Sequence, residues 1–180
     1  MRRFKLGITL AALSLSAMAF AHSDSKALIR FDGAIGADPL TGSNGTDVLN
    51  VVRGINPGGR AWVIRKFSAT ISKDGFVSAR GAGLLLASGD VIGTRAGIAQ
   101  VAATLACGPA GPTATLFNSA PAAFDTAGDF HISSALTQDG VNHAVLPPTC
   151  DNPALLIRAV GANGAPGAWL AAGIVDEHGD

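Results

Sequence analysis

From residue 27 onward, apolar and polar residues alternate with a period of two, in short runs broken by Gly, Pro, Asn and Asp. The pattern predicts strands over 27–32, 48–53, 98–107, 115–118, 122–125, 129–133, 155–160 and 169–174, with the last two forming a closing hairpin. Composition marks 33–47 as a loop, and Asn56-Pro57-Gly58-Gly59 as a turn. The sharpest local signal is a hairpin over 62–86. A two-residue Asp74-Gly75 loop would set Ile71 opposite Ser78 and Ala69 opposite Arg80. A three-residue Lys73-Asp74-Gly75 loop, with Gly75 left-handed, sets Ile71 opposite Val77, Ala69 opposite Ala79, Phe67 opposite Gly81 and Val63 opposite Leu85. Only the second register makes one face apolar and leaves Thr70, Ser78, Ser68 and Arg80 on the wet face, so it is the one expected. In 129–133, Phe130 and Ile132 point one way and His131 the other. Nine or ten short strands without a helix predict an all-β, single-domain antiparallel β-sandwich of jelly-roll or Greek-key type, over residues 22–180.

The start of the chain does not belong to that pattern. Met1-Arg2-Arg3-Phe4-Lys5 is a charged start, 6–20 is apolar, and Ala19-Phe20-Ala21 is a small-x-small cleavage site. Together they predict a signal peptide over 1–21, removed on export to the periplasm or beyond. Cleavage leaves 159 of the 180 residues, and ten Lys and Arg against thirteen Asp and Glu, a net charge of about −3. A weakly acidic exported chain is poorly suited to nucleic acid, and no second long apolar segment predicts a transmembrane span. Glu177 is the only Glu and Lys is sparse, which removes the usual coat of a helical protein.

The compartment also bears on the cysteines. Cys107 and Cys150 are the only two, so an oxidising environment makes a Cys107–Cys150 disulfide the expected state, closing a separation of 43 residues. There is no CxxC and no His placed to make either thiol a metal ligand or nucleophile.

The stretches Trp62-Val63-Ile64, Lys73-Asp74-Gly75, 81–86, Cys107, Leu155-Leu156-Ile157-Arg158 and 169–174 resemble a group of uncharacterised exported bacterial all-β proteins. The resemblance implies the same fold class and export, and carries no activity.

Candidate chemistry is thin. Cleavage after Ala21 would leave His22 at the N-terminus, where its α-amine and imidazole can chelate copper; His143, in an expected loop, could supply a second imidazole. Asp32, Asp38 and Asp47 flank the Gly-rich 33–47 stretch and could offer oxygen ligands to calcium, although there is no DxDxDG spacing. There is no GxSxG elbow, and Gly81-Ala82-Gly83 lies in a strand rather than a phosphate loop. Arg30, Arg53, Arg65, Arg80 and Arg158 all fall in expected strands, where Arg is usually solvated or paired with Asp. The reading that follows is an exported binding or structural module without its own catalysis. A protein partner or a second copy could pair along sheet edges that few Lys residues guard. The alternative is a copper-binding protein or metalloenzyme built on His22.

Overall fold

The computed structural model of the chain describes residues 27–43, 46–138 and 143–177. Among these there is no helix, and no segment is long and apolar enough to cross a membrane as one. The strands are β1 (Ala27–Gly36), β2 (Leu40–Ser43), β3 (Thr46–Leu49), β4 (Trp62–Val63), β5 (Lys66–Ser72), β6 (Phe76–Ala82), β7 (Leu85–Leu86), β8 (Gln100–Cys107), β9 (Thr115–Asn118), β10 (Ala122–Ala123), β11 (Phe130–Ala135), β12 (Ala154–Val160) and β13 (Pro166–Val175).

The main sheet runs β10–β8–β12–β13–β1–β5–β6–β11, with β9 beside β8, and every pairing in it is antiparallel. Its two ends meet. Isolated antiparallel bridges Asn118↔Thr137 and Phe124↔Phe130 join the β9–β10 edge to the β11 edge. The expected all-β antiparallel architecture is therefore present, with its strands joined as one curled sheet and two small satellites, β2–β3 and β4–β7. Alternation cannot separate a curled sheet from two stacked ones, because both send the same side chains inward.

The hairpin register is the expected one. Ile71 faces Val77, Ala69 faces Ala79 and Phe67 faces Gly81, and Gly75 turns at φ +79°. The Ser72 hydroxyl ties the turn by bonding the Asp74 carboxylate and accepting the Phe76 N–H. Val63 does face Leu85, but in the separate β4–β7 ladder. The stretch expected as a loop over 33–47 is partly strand: β1 runs on to Gly36, and β2 pairs with β3.

Ile71, Val77, Ile132, Leu105, Leu155 and Ile157 are fully buried at the centre. Gly81 lies between Phe67 and Phe130 across the sheet, and a Cβ there would stand 2.2 Å from the Phe130 ring. The missing side chain is what lets that ring lie against the strand. Phe130 packs in turn on Phe67 and Phe124, at centroid distances of 6.4 and 6.3 Å.

The excursion from Ala37 to Arg65 is held to β13 by backbone and indole bonds. Ala37 N–H donates to Leu170 O at 2.8 Å, Gly58 N–H to Trp169 O at 2.8 Å, and the Trp169 indole to Asn50 O at 3.1 Å. Cys107, the last residue of β8, is bonded to Cys150 just before β12, as expected.

Candidate functional site

The residues singled out in the sequence fall in different places. His22 lies outside the described residues. His143 is exposed, adopts φ +59°, and edges a hollow of about 640 Å³ together with Asn118, Ser134, Thr137 and Gly164. The polar groups around it are already engaged: the Ser134 hydroxyl accepts Ala120 N–H, and the Thr137 hydroxyl donates to Asn118 O. Asp32 points outward from β1, opposite Ser68. Asp38 accepts Leu40 N–H at 3.3 Å, and Asp47 is exposed on β3 opposite Gly42. Asp32 lies within β1 and Asp38 beyond its end at Gly36, so the strand between them carries the two apart, by at most about 20 Å. No group of three or more His, Cys, Asp and Glu side chains is gathered to hold a metal ion among the described residues.

The arginines divide into two sets. Arg53, itself at φ +53°, donates to the carbonyls of Gly108, Pro109 and Asn152, beside the disulfide. Arg158 donates to Gly167 O and Pro166 O, both at 2.6 Å, and to the Thr104 hydroxyl at 3.3 Å; Thr104 in turn donates to Asn118 Oδ1 at 2.7 Å. Burial pulls the Arg158 guanidinium below its usual pKa, since leaving water disfavours the charged form. Both side chains serve the fold by satisfying carbonyls, a role that Asp pairing or solvation does not describe. Sequence reasoning misses it because a backbone carbonyl has no residue code.

Arg30, Arg80, Arg65 and Lys66 are different. They are exposed, and among the described residues no hydrogen bond or ion pair holds their side chains. Strand pairing arranges the outer face of β1, β5, β6 and β11 in rows. One row is Asp32–Ser68–Arg80–His131; the next is Arg30–Thr70–Ser78–Ser133. The hairpin register had already placed Ser68 with Arg80 on the wet side. Asp32 and His131 join them only because β1 and β11 flank the hairpin.

At one end of this face the sheet opens. Register between β1 and β13 shifts between Phe31 and Ala34, and Gly33 takes φ +77°. The bulge borders a hollow of about 560 Å³ edged by Asp32, Arg65, Lys66, Ser68 and Arg80. Gly33 and Gly81 contribute only backbone to its lining. A second hollow of about 590 Å³ shares Arg80 and Gly81 and continues to His131, Asp125 and Asp129. Asp125 and Asp129 are occupied locally: Asp125 accepts the Ala127 and Asp129 N–H groups, and Asp129 accepts Gly83 N–H at 2.8 Å. The first hollow sets three exposed cations, the Ser68 hydroxyl and the Asp32 carboxylate side by side on paired strands.

No protein-family model, curated protein or solved structure matches the chain.

Proposed function

We propose that the protein is an exported, disulfide-bonded binding module that works through the outer face of β1, β5, β6 and β11 and performs no reaction of its own. The observation that carries this reading is the row Asp32–Ser68–Arg80–His131, with the exposed cations Arg65 and Lys66 beside it. The strands under this face are already paired, so binding need not order backbone and has only the exposed side chains to immobilise. The Cys107–Cys150 bond and the charged and apolar start of the chain support export. The sheet-edge pairing considered above has less to work with, because the two ends of the main sheet are bridged to each other.

Hydrogen–deuterium exchange tests the reading. The protein is compared alone and mixed with the macromolecular fraction of the medium and envelope of producing cells. Protection is expected in β5 and β6 and absent from β2 and β3, and it should vanish in a Lys66→Glu, Arg80→Glu double variant. Protection confined to another face, or none anywhere, overturns the proposal.

A further inference from the structure

The hollow at the β1 bulge brings more positive charge together than the fold uses. Arg65, Lys66 and Arg80 line it, three of the ten Lys and Arg residues that follow residue 21, in a stretch whose net charge is about −3. Lys66 and Arg80 sit one row apart on neighbouring strands, about 7 to 8 Å between backbones in such a diagonal. Like charges this close repel, and no described carboxylate pairs with them. A bound anion would remove that repulsion. Arg in particular presents a fork of donors matched to carboxylate or sulfate oxygens.

The carboxylate of the same hollow narrows the class. Asp32 shares the hollow, across from Ser68. Its carboxylate repels a bare polyanion but accepts hydroxyl protons. A ligand carrying one anionic group beside several hydroxyls satisfies both signs at once. We infer that this hollow binds an acidic saccharide, with its carboxylate or sulfate among Arg65, Lys66 and Arg80 and its ring hydroxyls toward Asp32 and Ser68. The inference rests on the reading of this face as the binding surface and names its ligand class.

The experiment is an NMR titration of the protein purified from cells expressing the full chain. Three probes are used: tetragalacturonate, maltotetraose and inorganic tripolyphosphate. Tetragalacturonate is expected to saturate and to shift the amides of Asp32, Lys66, Ser68 and Arg80. Its affinity should fall about tenfold in Lys66→Gln and again in Arg80→Gln, each losing one charge-assisted contact. Maltotetraose should shift nothing, and tripolyphosphate should bind at least tenfold more weakly, because it meets Asp32 without a hydroxyl to offer. Equal binding of maltotetraose, tripolyphosphate as tight as tetragalacturonate, failure of tetragalacturonate to saturate, or unchanged affinity in both variants each overturns the inference. If tetragalacturonate fails while the exchange experiment still protects β5 and β6, the ligand class falls and the binding face stands. If neither shows anything, both fall.

Discussion

Strands β6 and β8 lie in the same sheet and are seven and eight residues long, and they differ in what their outward side chains meet. β6 alternates: Val77 and Ala79 are buried, while Ser78 and Arg80 are in water. β8 is buried at every position after Gln100, including the outward Ala102, Thr104 and Ala106. Its neighbour β12 continues that dry region through Leu156, opposite Thr104, and ends it at the half-buried Arg158, opposite Ala102. Both regions carry an arginine on the outer side. Arg158 reaches Thr104 and two carbonyls and is partly dehydrated; Arg80 stands in a row of polar groups with no partner among the described residues. The same residue type is thus structural in one half and available in the other. The difference lies in whether acceptors of the protein's own backbone come within reach, and that depends on the β12–β13 pairing, which sets the Pro166 and Gly167 carbonyls beside Arg158.

Three measurements would break or sharpen this contrast. The largest effect belongs to the disulfide, which joins the end of β8 to the start of β12. Replacing both Cys107 and Cys150 by Ser should cost up to about 4 kcal/mol in a urea unfolding curve, the chain-entropy value for a closed loop of this length. Exchange should rise first in β8 and β12; a rise that begins in β5 and β6 would show that the dry half does not depend on the bond. Next, Arg158→Met should cost about 2 kcal/mol, because it leaves the Pro166 and Gly167 carbonyls and the Thr104 hydroxyl without their charged donor. The smallest effect is expected of Arg80→Met, within about 0.5 kcal/mol by the same assay, as for an exposed side chain with no partner. Equal losses at 158 and 80 would erase the distinction between the two arginines.

Much of the strand inventory is readable from residue order. The 76–82 and 66–72 runs announce their pairing because only one register puts Ile71, Val77, Ala69 and Ala79 on a single face. The 37–49 region does so poorly: the strand expected over 48–53 overlaps β3 only at Val48 and Leu49, β3 is exposed at all four positions, and Asp38-Pro39 and Gly42 look like loop chemistry. β1 extends through Gly33 because a glycine can sit in a bulge that its composition would assign to a turn. For the candidate site, Ser68 and Arg80 are legible as a wet pair. Asp32 and His131 are not, since each lies more than thirty residues from its partner in the row. The calcium set fails to gather for a related reason: closeness in sequence along an extended strand means separation in space.

By itself, the sequence determines which residues face in and which face out, where the tight turn at Lys73-Asp74-Gly75 falls, and which two cysteines can pair. These follow from local chemistry: apolar period, the φ that only glycine takes freely, and the number of thiols. The tertiary structure alone decides that the sheet curls until its ends are bridged, that Arg53 and Arg158 are spent on carbonyls, and that Asp32, Ser68, Arg80 and His131 line up. Ladder hydrogen bonds between strands join backbone groups that are the same in nearly every residue. Strand order is therefore settled by how the whole core packs, and a row of side chains across four strands exists only once that order does.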